Sequence, residues 1–313
     1  MDVILGIDTS CYTTSAALAD VETHDCVKYR LEMLLPEKGE RGLRQSTALF
    51  LHIKNLPRVT KELLEGGDYC IKGVCVSASP RPLEGSYMPV FEAGCSVAEC
   101  MANGLGVPLY RTTHQENHIM AASGGRIKDR FMALHLSGGT TEMLIAEPKT
   151  CGYGIDIISA TGDISLGKLI DRVGVKMGLD FPCGKALEEL ALSADSGFVP
   201  PVKLYDGGVS LSGAEKQFMD AVGEEDDAVI ARGLFEYAGR LLEKWVSHHV
   251  ERANVKDVLF AGGVASNKII KEKLLSSDKL KGVDLHFAQP QLCRDNAVGT
   301  AMIGTYFWEE SKK

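Results

Sequence analysis

The chain has no CxxC pair, no low-complexity tract, no cationic stretch ahead of its first apolar run, and no apolar run near the ~18 residues of a membrane helix. Each absence removes a class. Nine cysteines, at 11, 26, 70, 75, 95, 100, 151, 183 and 293, are an odd set without metal-finger or redox spacing. They read as reduced thiols, and a cytoplasmic location is expected. The opening MDVILGIDTS has an acidic second residue and no leader-like n-region. With no spanning run, no membrane association is expected. Positive charge is also in deficit, the net charge being −8. That balance argues against a surface built throughout for nucleic acid, though a local basic patch or a charged partner remains open. The zincin pattern HExxH is missing too, so a protease with a helix glutamate as general base is poorly supported.

What is present is a globular composition, 45% hydrophobic and 24% charged over 313 residues, enough for two domains with buried cores. The chain repeats a plan. VILGIDTS, a polar turn and SAALAD form an apolar–turn–apolar unit, and FMALHLS, GGTTE and MLIAE form another near residues 131–147. DVLFAGGVASN reads as a buried strand entering a Gly-Gly turn and the lysine-rich helix KIIKEKLL. The repeat predicts two related α/β domains with a ligand cleft between them. ALFLHIKNLPRVTKELLEG and AVIARGLFEYAGRLLEKWVSHHVERAN have helical apolar spacing. The breaker-rich SGFVPPVKLYDGGVSLSG (196–213) reads as an irregular loop or short hairpin.

Several stretches could carry chemistry. Three small-residue turns follow strands: Asp8-Thr9-Ser10, Ser137-Gly138-Gly139-Thr140-Thr141 and Gly262-Gly263. Free N–H groups in such turns bind anions, and three of them point to a nucleotide site. In TTHQENHIMAA, His114 and His118 fall on one helix face, either as two ordinary polar residues or as a metal-binding pair. A metal would need a third ligand, and Asp295 in CRDNAVGTA is the candidate. Such a His-His-Asp set suits zinc or ferrous iron and leaves positions open for substrate oxygens. An amphipathic helix from about 166 to 177 carries Asp171 beside Arg172, which reads equally as a surface ion pair or as a ribose-binding carboxylate. The Pro-x-Gly turn in DFPCGKALEELA lets Gly184 present its backbone to a ligand. Cys11, Cys183 and Cys293 lie near these turns, and small buried thiols are the commoner explanation for them.

In order along the chain, LGIDTSCYTTSAAL, HQENH, LSGGTTEM, LIDRVGVKMGLDFPCG, VSLSG, AGGVASN and CRDNA resemble the TsaD/Kae family, formerly called O-sialoglycoprotein endopeptidase or glycoprotease. The resemblance covers nearly the whole chain. It implies the actin/sugar-kinase/Hsp70-like (ASKHA) α/β fold, divided here as 1–112 and 113–313, with the last helix packed back on the first domain. It also implies transfer of a threonylcarbamoyl group from an adenylate donor to a tRNA adenosine. By motif, His114, His118 and Asp295 resemble the ligands of one divalent metal, Fe2+ or Zn2+. His135, Leu136, Ser137, Gly138 and Gly139 resemble the loop that holds donor phosphate and acyl groups. Asp171, Gly184, Glu188 and Asn267 resemble contacts to an adenine nucleotide or acyl-adenylate. Asp8 and Ser10 are the remaining candidates for a catalytic role. Expected partners are tRNA, bound with the help of partner proteins, other subunits of the threonylcarbamoyladenosine pathway in a heteromer, and a second copy in a homodimer.

Departures from the family pattern suggest a divergent paralogue. The usual first turn, Glu-Thr-Ser-Cys-Asp-Glu-Thr, is here DTSCYTT, with Tyr12 and Thr13 in place of two acids. Gly167-Lys168 replaces a usual Gly-Glu, and Asp163 is followed by Ile164 where a second acid is usual. KGERGLRQSTALF carries Lys38, Arg41 and Arg44, which with Arg81 offer a place for an anionic substrate. The alternatives kept open are a same-fold carbamoyl transferase or nucleotide hydrolase with another acceptor, and a non-catalytic partner of an active relative.

Overall fold

The first strand, β1 (Asp2–Ser10), is buried at every position after its first. This is why it reads as an unbroken apolar run: a central strand covered on both faces has no polar side to alternate with. The computed structural model describes residues 1–10, 12–34 and 43–313. Cys11, Lys38 and Arg41 lie outside the described residues.

The chain forms two compact units, Met1–Asp129 with Glu147–Ile155 and Arg294–Lys313, and Arg130–Ala146 with Asp156–Cys293. The sequence reading divides the chain at 112/113. The observed division falls at 129/130 and gives the last helix to the first unit.

The first unit holds β1, β2 (Thr13–Asp20), β3 (Cys26–Met33), α1 (Gln45–Leu64), β4 (Cys70–Ser79), α2 (Phe91–Leu105), β5 (Leu109–Thr113) and α3 (His114–Ser123). Its sheet runs β3-β2-β1-β4-β5. β1 pairs antiparallel with β2 and parallel with β4, and β4 pairs parallel with β5. The second unit holds β6 (Phe131–Leu136), the larger parts of β7 (Thr141–Pro148) and β8 (Tyr153–Ala160), whose residues 147–148 and 153–155 belong to the first unit, and α4 (Leu166–Lys176), α5 (Gly184–Ala191), α6 (Ser212–Ala221), α7 (Asp227–Ala253), β9 (Asp257–Ala261), α8 (Lys268–Leu275) and β10 (Asp284–Phe287). Its sheet order is β10-β9-β6-β7-β8. β6 pairs antiparallel with β7 and parallel with β9, and β9 pairs parallel with β10. The two sheets therefore share one plan, a hairpin on one side of the central strand and parallel crossovers on the other. The repeat seen in the sequence is a repeat of topology.

The chain re-enters the first unit as α9 (Val298–Glu310), which packs on α3 and on β1. Close approach depends on Gly299, where a Cβ would collide with the Asn117 carbonyl oxygen of α3. In the second unit α7 forms the core's spine. Trp245 is fully buried, and its indole N–H donates to Ser159 Oγ and Gly207 O, both at 3.0 Å. The 196–213 stretch is irregular, as expected, up to the start of α6, apart from bridges of Tyr205 with Gly208 and of Val209 with Thr161.

Asp163 pins the end of that stretch. Its carboxylate accepts from Ser210 Oγ (2.8 Å), Ser212 Oγ (2.6 Å) and the amides of Leu211 and Ser212 where α6 begins. Partial burial works against its charge, but these donors hold the carboxyl well below the ordinary aspartate range.

Two predictions follow from packing and charge. Gly299→Ala should destabilise the protein by about 1–3 kcal/mol, through overpacking, measured as a fall in Tm. Because the folded pKa of Asp163 is depressed, its contribution is complete above its unfolded pKa and fades as pH falls through the folded one. The Tm gap between wild type and Asp163→Ala should therefore be constant near neutrality and shrink between pH 4 and pH 2.

Candidate metal centre and nucleotide cradle

The first turn of α3 is built by Thr113 and Glu116. Thr113 Oγ1 accepts from the Glu116 amide (3.3 Å) while the Glu116 carboxylate accepts from the Thr113 amide (3.1 Å), a reciprocal capping box. Glu116 also accepts from Thr112 Oγ1 (3.0 Å) and from the Tyr153 amide (3.1 Å). The acid inside HQENH is thus a structural cap, with both oxygens engaged. What the cap fixes is the start of the helix, and so the direction of His114 and His118 one turn apart.

Those two imidazoles meet Asp295, which lies in the segment leading to α9. The Nε2 atoms of His114 and His118 are 2.9 Å apart. Asp295 Oδ1 is 3.3 Å from His118 Nε2 and 3.7 Å from His114 Nε2. Ligands that share one ion at bonds of about 2.05 Å and angles of about 90–120° lie about 2.9–3.6 Å apart. The three side chains also converge within 4.8 Å as a set. Two facing imidazole nitrogens need a proton or a cation between them, so the donor set fits a divalent ion.

Behind His114 stands Asp8, fully buried at the end of β1. Its Oδ2 accepts from His114 Nδ1 at 2.9 Å, so Nε2 is the ring nitrogen that faces the triangle. Asp8 also accepts from the Ser10 amide (3.0 Å) and Asn117 Nδ2 (3.3 Å). Burial disfavours its charge, yet the charge and hydrogen bond of His114 hold its pKa below the usual value. Conversely, burial pulls the His114 imidazole down, and the Asp8 charge, with Asp295 beyond, raises it to about 9. Burial likewise opposes the Asp295 charge, and His118, His114 and Ser10 keep it well below the carboxylate range. Ser10 Oγ is the buried hydroxyl beside that carboxylate.

Asn117, also in HQENH and fully buried, links these parts. Besides Asp8 it donates to Asn296 O (2.5 Å) and accepts from the Thr300 amide (2.8 Å). One side chain thus joins β1, α3 and the Asp295 segment. The sequence reading missed it, because nothing local distinguishes it from a surface asparagine.

The second unit gathers the other candidates. His135 and Leu136 end β6, with His135 Nδ1 4.0 Å from Glu142 across the hairpin. Ser137, Gly138 and Gly139 form the turn, closed by Ser137 N to Thr140 O (2.8 Å) and Thr140 N to Ser137 Oγ (3.0 Å). The N-terminus of α4 braces it: its N-cap Ser165 donates to Gly138 O (2.6 Å) and accepts from the Lys168 amide (3.2 Å). Gly167 makes this approach possible, since a Cβ there would come within 2.6 Å of Gly138 Cα. A glycine turn beside a helix N-terminus is suited to phosphate.

Asp171 does not pair with Arg172, whose partner is Glu215 at 2.8 Å. Asp171 Oδ1 instead accepts from the Cys183 amide (2.9 Å) at the start of α5, and burial raises its pKa. Gly184 opens α5 with free space around its Cα. Glu188 Oε1 accepts from the Lys268 amide (2.6 Å), and the neighbouring Asn267 caps α8 through the Ile270 amide (3.0 Å). Asp171 and Glu188, each within a helix, thus accept from the N-termini of α5 and α8, where Gly184 and Asn267 stand. Cys183 and Cys293 are buried thiols pushed up in pKa by that burial, the opposite of an activated nucleophile. Tyr12 is exposed and Thr13 buried. Lys168 lies exposed in the first turn of α4, and Arg44 precedes α1.

Solved structures with the same fold include full-length HypF in its phosphate- and nucleotide-bound form (TM-score 0.61, 11% identity, 98% of this chain and 56% of that one). Another is the ROK family glucokinase from Streptomyces griseus in complex with glucose and AMPPNP (TM-score 0.52, 12% identity, 96% and 98%). This class is the ASKHA fold of two related α/β domains. Within it, the model of the TsaD family, described as tRNA N6-adenosine threonylcarbamoyltransferase, matches residues 37–303, and the chain belongs to that family. Proteins of that name from Geotalea uraniireducens (28% identity, 97% of this chain and 91% of that one) and Thermotoga neapolitana (26%, 99% and 94%) are similar along nearly the whole chain.

Asp8→Asn should keep the fold but lose the charge that orients His114. Metal affinity is expected to fall about 10–100-fold, read by competition with a chelating dye. An unchanged affinity would show that Asp8 serves packing alone.

Proposed function

We propose that this protein is a metal- and nucleotide-binding transferase that moves a threonylcarbamoyl group from an acyl-adenylate to a tRNA adenosine. The observation that carries the reading is the convergence of His114, His118 and Asp295 backed by buried Asp8, in a member of a family described by that reaction. His114, His118 and Asp295 would hold one Fe2+ or Zn2+ ion, and the bound ion would supply Lewis-acid polarisation of a donor oxygen. The Ser137–Gly139 turn and the α4 N-terminus bind phosphate, while Asp171, Gly184, Glu188 and Asn267 hold the adenosine part. Asp8 is a positioning residue that keeps the His114 Nε2 lone pair available. In the reaction the adenosine amine attacks the carbamoyl carbon, the bond from that carbon to the adenylate oxygen breaks, AMP leaves, and the amine proton passes to solvent.

No carboxylate of the described first turn is free to take that proton. Asp8 is committed to His114, and Tyr12 and Thr13 follow it. The same observation favours a second reading, a divergent member with another acceptor: a carbamoyl transferase or nucleotide hydrolase of the same fold. A purely non-catalytic partner has no use for three converging ligands and their buried orienting acid. With a net charge of −8, the tRNA reading calls for partner proteins to share the RNA. These include other subunits of the pathway in a heteromer, or a second copy, working in the cytoplasm.

The test compares wild type with His114→Ala/His118→Ala, measuring metal content and calorimetric binding of ATP and threonylcarbamoyl-adenylate. Wild type should hold about one metal per chain and bind the adenylate, and the variant should lose its metal. Formation of threonylcarbamoyladenosine on added tRNA then separates the first reading from the second. Wild type that holds no metal and binds neither ligand would overturn both.

A further inference from the structure

The loop VPPV, part of the breaker-rich stretch, has no role in the cradle or the metal centre. In the second unit it walls a cavity of about 330 Å³. Pro200 and Pro201 face one side, and Arg240, Lys244, Lys273 and Lys279 line the rest with a single acid, Glu243. An adjoining cavity of about 660 Å³ shares Arg240 and Lys273 and adds Arg232. Its acids are Glu236 and Glu272, and Glu236 already pairs with Arg232 at 2.9 Å and with Arg240 at 3.6 Å.

Glu243 explains why the lysines stand where they do. It is a buried acid, accepting from Ser277 Oγ at 2.6 Å and pairing with Lys273 at 3.3 Å and Lys279 at 3.4 Å. Lys244 Nζ donates to Val202 O at 3.3 Å, tying the proline wall to α7. Each ammonium carries three donors, and the contacts just described leave others facing the cavity. Arg240 shares Glu236, so the four cations meet two carboxylates, Glu236 and Glu243, and the lining keeps a positive excess in a chain whose net charge is −8. An acidic protein gains nothing in solubility from concentrating cations in a concave, partly apolar place. Ligand chemistry that matches it is a phosphate flanked by a flat apolar group.

We propose that this cavity is a phosphate subsite for the backbone of bound RNA, separate from the Ser137–Gly139 cradle. It rests on the reading of the chain as an enzyme acting on tRNA. The prolines offer a surface for a sugar or base face, and the lysines and Arg240 replace the counterions that the phosphate releases.

The test uses the full-length protein, with tRNA affinity measured by fluorescence anisotropy across a salt series. Wild type is compared with Arg240→Glu/Lys279→Glu, both exposed positions outside the cradle, and with Lys244→Gln as a milder change. The double variant should bind tRNA at least about 10-fold more weakly, and the slope of log affinity against log salt should fall by about 1–2. Calorimetric ATP affinity and metal content should not move, which separates a lost subsite from a damaged fold or a failed cradle. Equal tRNA affinity and slope in wild type and variant would overturn the subsite while leaving the transferase reading standing. A wild type that binds no tRNA would overturn it too, and the metal and adenylate measurements would then judge the transferase reading on their own. Inorganic pyrophosphate is the second probe. If the variant loses pyrophosphate binding but keeps tRNA binding, the RNA assignment is overturned and the cavity belongs to a small phosphorylated ligand.

Discussion

The first unit depends on one buried carboxylate and the asparagine that shares it. Asp8 is fully buried, and its charge is held by the donors around it, among them His114, Asn117, Ser77 and the Ser10 amide. Removing any one partner leaves part of a buried charge uncompensated, which costs more than the lost bond is worth. Asn117 spreads this dependence, because its amide is also the joint between α3 and the Asn296–Thr300 backbone. The position of Asp295 is therefore set by the same network that orients His114. The geometry of the three candidate ligands and the stability of the fold thus rest on the same contacts.

The duplicated sheet plan explains where the candidate residues fall. In each unit the central strand pairs parallel with its neighbour, so both strands end on the same edge, and loops at that edge collect helix N-termini and polar turns. Asp8 and Ser10 end β1, and His114 follows β5. His135 to Gly139 close β6, and Gly262-Gly263 follow β9. The two units put different chemistry on the same frame: imidazoles and carboxylates in the first, backbone donors and helix termini in the second. That division suits a metal to one and a nucleotide to the other.

Much of this was legible in the sequence, for reasons that can be named. The central strands are long apolar runs, the long helices keep their period, and the i, i+4 spacing of His114 and His118 survives because a helix fixes it. The Thr113-x-x-Glu116 box was legible as well and went unread; it would have removed Glu116 from the chemistry at once. The supposed Asp171–Arg172 pair fails on helix geometry, since neighbours in sequence point about 100° apart and do not face each other. What sequence could not give is any role set by partners far along the chain. Asn117 meets residues 109, 179 and 183 positions away, and the cationic cavity draws on segments from Val199 to Lys279. Periodicity and spacing carry local information, and these arrangements are not local.

The departures at the first turn fit this picture. Tyr12 and Thr13 change the acid content of a turn whose one remaining acid, Asp8, is already bound to His114. Lys168, at the first turn of α4, shifts the balance in the same sense, adding positive charge beside a turn suited to phosphate. The His114–His118–Asp295 triangle, its buried acid and the cap that aims it each hold polar groups away from water, at a cost in free energy that a bound divalent ion would offset.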